Sequence, residues 1–281
     1  MASRPLRLNY HDHFCPANDV VFSVMNGHKE IFCPLVSSVV NKDIVLDGEP
    51  RTQAESREND VLLNTIRFDS FAVTTDKRFY TLDLNRTYKE SRESRRTVYY
   101  ACRAISTQDV SKMQYEELKP VHISFIYTDH EETRPIRNVR LLFTDNHEVY
   151  DKLIEITLVY VPAVIKEGRD FGDLYTFARF FAVRSQAEAD EFVTDIGETD
   201  LGRGLIRVYN NAVANVNRLY QIEKSSYFTE RLNEAQLAEE RQRWVRIKNR
   251  ELALLMRSDG EPEEKIKRYT GYTSKDLDPL K

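Results

Sequence analysis

Apolar residues recur at helical spacing from Asp19 onward: Val21, Val24, Met25, Phe32, Leu35, Val36, Val39 and Val40. Gly27 and Pro34 are placed to break this stretch into two helical pieces. Residues 48–60 hold Gly48, Pro50 and many charges and read as an exposed loop. The pattern then changes period. Val61–Thr74 is rich in β-branched and aromatic residues and predicts a strand, Thr75-Asp76-Lys77 a polar turn, and Arg78–Arg86 a second strand, together a hairpin. Ser91–Ile105 predicts a helix, Val121–Tyr127 a buried strand and Arg137–Thr144 another strand. Asp151–Tyr160 fits a strand or a short helix, and Phe171–Phe181 a helix that closes a first domain. Beyond it, Leu205, Ile206, Tyr209, Ala212, Val213, Val216, Leu219 and Tyr220 mark one face of a helix. Glu234–Met256 predicts a more charged helix. The tail predicts two short ones, the first stopped by Gly271 and the second started by a capping box from Thr273 to Asp276.

The hairpin carries the candidate chemistry. A turn centred on Asp76 sets Asp69 opposite Asp83, with Cβ atoms about 4.5–5.5 Å apart, where like charges destabilise. A divalent cation between them removes that penalty. Asn85 points to the same face as Asp83, while Leu82 and Leu84 point to the other, toward a core. Two carboxylates and an amide around one point suit Mg²⁺. Spacing alone leaves a second reading open, in which both aspartates are solvated strand residues in another register. On the helix that follows, Arg92, Arg96, Tyr99 and Arg103 share one face, and Val98, Cys102 and Ile105 form the apolar one. A basic face beside an acidic hairpin suits a phosphate backbone; a solvated charged face is the plainer alternative.

Composition narrows the classes. The chain has 281 residues, 41% hydrophobic and 31% charged, with a formal net charge of -4. That supports a core under a charged surface, and nucleic-acid contact would need local basic patches. Cys15, Cys33 and Cys102 are odd in number and scattered, so a disulfide framework is not implied and a reducing compartment is expected. The N-terminal stretch lacks an uninterrupted apolar run and does not read as a signal peptide. No segment approaches the roughly 18 apolar residues of a membrane span. Walker, GxGxxG and GxSxG patterns are absent from the sequence. A cytoplasmic protein without membrane contact is expected.

Five segments stand in the order seen in a known family. Asn18-Asp19-Val20-Val21-Phe22-Ser23 is similar to an N-D-x-x-F-K helix start, and Ile66-Arg67-Phe68-Asp69 to a strand carrying a first metal-binding aspartate. Leu82-Asp83-Leu84-Asn85-Arg86 stands in the place of an I-E-M-Q type strand. Arg96-Thr97-Val98-Tyr99-Tyr100 is similar to an R-x-x-Y-Y helix, and the stretch from Tyr115 to Ile123 to a Y-x-x-L-x-P-V-x-I segment. Together they resemble the Rpn-type recombination-promoting nucleases, a PD-(D/E)XK nuclease family also labelled transposases. The resemblance covers roughly residues 18 to 185. It extends to the tail, where Gly260, Ile266, Tyr269, Thr270 and Gly271 are similar to short C-terminal helices in that family.

The resemblance implies an α/β fold with a restriction-endonuclease-like mixed-sheet core over residues 1–185 and a C-terminal helical region over 186–281. It implies Mg²⁺- or Mn²⁺-dependent DNA cleavage linked to mobile elements. Asp69, Asp83 and the carbonyl of Leu84 would hold the metal, and Asn85 would orient the attacking water. Arg92, Arg96 and Arg103 would contact DNA, with Asp19 and Tyr99 accessory. The chain departs from the family pattern: Asp83 replaces glutamate, Asn85 replaces glutamine, and Ser23 replaces lysine. Val161-Pro162 stands where an E-L-P-K segment is expected. Each shortened side chain displaces its head group, and productive geometry tolerates little displacement. A non-catalytic descendant that binds DNA or protein is therefore the alternative.

Three further features have two readings each. His11, His13 and Cys15 suit either a soft metal or a flexible terminus. Arg241, Arg243, Arg246, Lys248 and Arg250 around Trp244 suit either DNA or the outside of a paired helix. The tail suits either a helix-turn-helix or a homodimer through the C-terminal helices, and Glu261, Glu263 and Glu264 disfavour DNA contact there.

Overall fold

The structure is a computed structural model. It describes residues 6–52, 69–85, 90–106, 108, 114–224, 246 and 249–277, and of residues 90–93, 103, 106, 274 and 275 the backbone alone. Two compact units are present, Met1–Glu223 and Lys224–Lys281.

The first helical stretch breaks at one of its two expected points. Helix α1 (Asp19–Asn26) is capped by Asn18, whose side-chain oxygen accepts from the backbone of Val20 and Val21 at 3.0 and 3.3 Å. It stops at Gly27. Helix α2 (Lys29–Val40) runs through Pro34 and ends on Asn41 in the left-handed region. Pro34 therefore does not divide it.

A six-stranded mixed sheet follows, in the order β1-β2-β3-β4-β6-β5. Its strands are β1 (Arg51–Thr52), β2 (Ser70–Val73), β3 (Phe79–Asn85), β4 (Val121–Tyr127), β5 (Ile136–Leu142) and β6 (Val149–Tyr160). β1, β2 and β3 are antiparallel; β3, β4 and β6 are parallel; β5 pairs antiparallel with β6. Helix α3 (Glu90–Ser106) lies between β3 and β4 in the chain and supplies the crossover that parallel strands require.

The hairpin has the register expected from the turn. Ser70 pairs with Leu82 and Val73 with Phe79. Asp76 organises the turn by accepting from the Thr74 hydroxyl, and Lys77 takes the left-handed conformation. The long strand expected from Val61 is seen only over Ser70–Val73; residues 61–68 lie outside the described residues. Within the expected loop, Arg51 and Thr52 pair with β2, and 53–60 lie outside the described residues.

The ambiguous Asp151–Tyr160 segment is strand. Ile154, Ile156, Leu158 and Tyr160 alternate onto one face, and both edges of β6 are hydrogen-bonded. β6 passes into helix α4 (Val161–Glu167), with Pro162 in its first turn. Helix α5 (Asp173–Phe181) follows.

The sheet has a core on each face. Leu82, Leu84, Ile126 and Val159 join an apolar cluster with Val21, Phe22, Phe32, Leu35, Phe177 and Phe180. On the other face Ile123, Phe125, Tyr127, Ile156, Leu158 and Tyr160 pack with Ala101 and Ala104 of α3.

The domain boundary expected at 185 is corrected to 223. Helix α6 (Gln186–Ile196) and helix α7 (Asp200–Val213) bury Ala189, Phe192, Ile196, Leu205, Ile206 and Tyr209 in the same cluster as α1 and α2. The helix expected from Leu205 to Tyr220 is interrupted at 214–215, with a further helical run over 216–224.

In the second unit, Ala253, Ile266 and Leu277 pack together from a helical run over 249–258 and the helices Glu263–Thr270 and Ser274–Leu277. Gly271 ends the first short helix at a φ of 78°. The Asp276 carboxylate accepts from the Thr273 N–H at 2.8 Å and from its hydroxyl at 2.6 Å, one half of the expected capping box. Of the basic cluster around Trp244, only Arg246 and Arg250 are described, both exposed. No described helix is long and apolar enough to cross a membrane.

Candidate metal and phosphate site

Asp69 stands immediately before β2, and continuing the observed register carries it across from Asp83 on β3. Its position is fixed from two sides. The Ser23 hydroxyl of α1 donates to the Asp69 carbonyl at 2.9 Å, and the Leu84 N–H donates to Asp69 Oδ2 at 2.8 Å. Both carboxyls are withdrawn from solvent, with Asp69 7% and Asp83 2% exposed.

Burial pushes the Asp69 pKa well above the usual carboxylate value, and the neighbouring Asp83 pushes it further. The Leu84 N–H opposes this; exposed Asp19 adds to the rise and Arg96 counters it. A pair that resists holding two negative charges gains from a nearby cation.

Arg96 supplies one positive charge. Its Nη2 donates to Asp83 Oδ1 at 2.9 Å and its Nη1 to Asn85 Oδ1. Asn85 Nδ2 donates to the same Asp83 oxygen at 2.9 Å. The guanidinium lies 5.1 Å from the ring centre of Tyr100 and 5.6 Å from that of Phe125. Burial, then the Asp83 charge, raises the Tyr100 pKa.

This arrangement corrects the helix face expected for α3. Thr97, Ala101 and Ala104 are buried, while Val98, Tyr99 and Cys102 are exposed. Small side chains let α3 approach β4, and the pairing of Arg96 with Asp83 draws that arginine inward. Arg96 therefore leaves the outward basic face on which it was expected with Tyr99. The side chains of Arg92 and Arg103 lie outside the described residues.

The chemistry of the pair fits a hydrated Mg²⁺, which binds through one or two carboxylates and keeps several waters. Asp69 and Asp83 would hold it. Leu84, expected to offer its carbonyl, reaches Asp69 through its N–H. Asp19 does not complete a three-ligand group: among the described residues no cluster of three His, Cys, Asp or Glu side chains is placed to share a metal.

The HDHFC segment is corrected on both of its readings. His13 Nε2 contacts the Glu223 carboxylate at 2.9 Å and its ring stacks on Tyr220; His11 Nδ1 accepts from the Phe14 N–H; Cys15 is buried. Among the described residues the three side chains do not belong to a group of three placed to share a metal. The Tyr209 hydroxyl donates to the Phe14 carbonyl at 2.9 Å, so the segment is fastened to the core. All three cysteines are free thiols.

A polar row that the sequence reading did not single out crosses the sheet at the start of β4. His122 stacks on Tyr80, contacts the Thr157 hydroxyl at 2.9 Å and lies 3.6 Å from Glu155; Thr157 donates to Asn138 at 2.9 Å. Strong apolar neighbours on β4 masked it in the sequence. Thr157 is buried and its hydroxyl is committed to Asn138, so the row is structural. No protein-family model matches the chain, and no curated protein or solved structure matches it.

Proposed function

We propose that the chain is a Mg²⁺-dependent DNA endonuclease of the PD-(D/E)XK type, hydrolysing phosphodiester bonds and linked to mobile DNA, with Mn²⁺ able to replace Mg²⁺. The observation that carries this reading is the pair of buried aspartates, Asp69 and Asp83, set across one hairpin with the Asp69 pKa driven up. A mixed α/β sheet around that hairpin supports the restriction-endonuclease-like assignment.

In this reading Asp69 and Asp83 would hold the cation together with the Leu84 carbonyl. When bound, the cation supplies Lewis acidity, acidifying water and offsetting charge on the phosphate. Asn85 orients the attacking water; its amide is no base. Arg96 partly neutralises Asp83 and, with a cation bound there, would be available to a phosphate. Arg92 and Arg103 would contact DNA, with Asp19 accessory, and Tyr99 would add to that contact from the outward face that Arg96 has left. The short Asp83 and Asn85 side chains set a slow rate. The reading puts the protein in the cytoplasm. Two surfaces compete for a homodimer contact, the C-terminal helices, where Leu252 and Leu255 are exposed, and the outer edge of β5.

One observation favours the second reading, a non-catalytic DNA-binding or interaction protein: Arg96 and Asn85 already satisfy Asp83 from within the chain. Supercoiled plasmid with Mg²⁺ or Mn²⁺ separates the two. The first reading expects metal-dependent nicking that disappears in Asp69→Asn/Asp83→Asn. Plasmid left intact by wild-type protein that still retards it in a gel supports the second.

A further inference from the structure

β5 closes the sheet on the side away from β1. Its pairing with β6 is irregular after Arg140: Arg140 faces Glu155, Leu141 faces Asp151 and Leu142 faces Val149. Consecutive β5 residues skip residues on β6, so the extra residues lie in β6 and β5 itself runs regularly. At its two ends, the Tyr160 N–H donates to the Pro135 carbonyl and the Phe143 N–H to the Glu148 carbonyl, both at 2.9 Å. Residues of an antiparallel strand alternate between bonding to one neighbour and to the other side. Pro135 and Phe143 bond inward, so Ile136, Asn138, Arg140 and Leu142 direct their backbone N–H and C=O groups outward.

Such a row is a template for another strand unless it is blunted by lysine, proline, a bulge or a cover. β5 contains neither lysine nor proline. Val139, Leu141, Leu142 and Phe143 are each at least 42% exposed, an apolar stretch along the edge. Its two arginines are engaged within the chain, Arg137 with Glu132 and Arg140 with Glu155, each at 3.3 Å.

We infer that β5 pairs antiparallel with β5 of a second copy of this chain, about a two-fold axis at Val139. Val139 is the midpoint of Ile136–Leu142, so this centre pairs the whole strand. It sets Val139 against Val139, Ile136 against Leu142, Arg137 against Leu141 and Asn138 against Arg140. Outward-bonding residues meet outward-bonding residues, and the ladder is continuous. A centre at Arg137 or Arg140 would place like charges directly opposite. A centre at Asn138 would leave Leu141 and Leu142 beyond the paired stretch. The same register carries Arg134 alongside Thr144 and Asp145 of the other copy, where the charges are opposite. The contact is isologous, as closed dimers require. It does not depend on whether the Asp69–Asp83 pair cuts DNA.

Val139 falls at a non-hydrogen-bonded pair, where Cα atoms are about 4.5 Å apart. That separation lies within disulfide range. Full-length Val139→Cys should cross-link to a dimer under mild oxidation, well above wild type, whose exposed Cys102 sets the background. Tyr150→Cys, exposed on the same hairpin away from the edge, should stay at that background. In sedimentation equilibrium the wild type should be dimeric, and Val139→Lys, which brings two ammonium groups together, should be monomeric with an unchanged circular dichroism spectrum. Equal cross-linking at Val139 and Tyr150, or a monomeric wild type, would overturn the proposal. So would a dimer that survives Val139→Lys and is lost in Leu252→Glu/Leu255→Glu, because the contact would then lie in the C-terminal unit.

Discussion

Leu82 and Leu84 leave one face of β3 for a closed apolar cluster shared with α1, α2 and α5, while Asp83 and Asn85 leave the other for a polar site beside α3. Folding alone satisfies the first face, since every atom there gains contacts and leaves water. The second face holds a carboxyl pair that burial penalises, and Arg96 offsets part of that penalty. The apolar face maximises stability; the polar face holds back stability that a cation would restore. Stored strain of this kind gathers where a protein binds or reacts.

The largest effect should come from the apolar face. Leu82→Ala should lower the unfolding free energy by about 2–5 kcal/mol in urea denaturation, because a fully buried leucine leaves a cavity. Mg²⁺ should not change that loss. A loss that Mg²⁺ repaired would mean the two faces are coupled.

Next is Arg96→Gln, which removes the guanidinium that donates to Asp83 and should cost about 1–3 kcal/mol. Here Mg²⁺ should shrink the loss, because cation and guanidinium serve the same carboxylate. An equal loss with and without Mg²⁺ would show that they are not interchangeable.

Asp69→Asn should act in the opposite direction. The Asp69 pKa is raised in the folded chain, so its favourable contribution is complete below the unfolded carboxylate value and is lost as pH rises through the folded value. At neutral pH without metal, Asp69→Asn should raise Tm and flatten the decline of Tm with rising pH. A lower Tm across the whole range would contradict the account of this pair.

The smallest effect concerns His122. Burial holds its pKa below the ordinary imidazole value, against the pull of Glu155. Its contribution is therefore present above that ordinary value and lost as pH falls below it toward the folded value. His122→Gln should flatten the acid side of a Tm–pH profile and leave the alkaline side unchanged.

The hairpin register was legible because Thr75-Asp76-Lys77 is a polar turn between two β-rich runs, and the alternation of Leu82, Asp83, Leu84 and Asn85 fixes which face each takes. The break after α1 was legible from Gly27. The orientation of α3 was not. Val98 and Cys102 look apolar in sequence, but the close approach to β4 selects Ala101 and Ala104, and Arg96 follows an acid on a different element. The domain boundary was missed for a related reason. Composition shifts from Leu205, yet Phe192, Leu205 and Tyr209 complete the core that α1 and α2 began. Long-range partners of a helix face leave little trace in its own periodicity.

The most direct test is the Tm of wild type and of Asp69→Asn/Asp83→Asn near neutral pH, measured across a Mg²⁺ titration. A cation site at this pair predicts that Mg²⁺ raises the wild-type Tm saturably and leaves the double variant unmoved. Equal shifts in both proteins, or none in either, would contradict it.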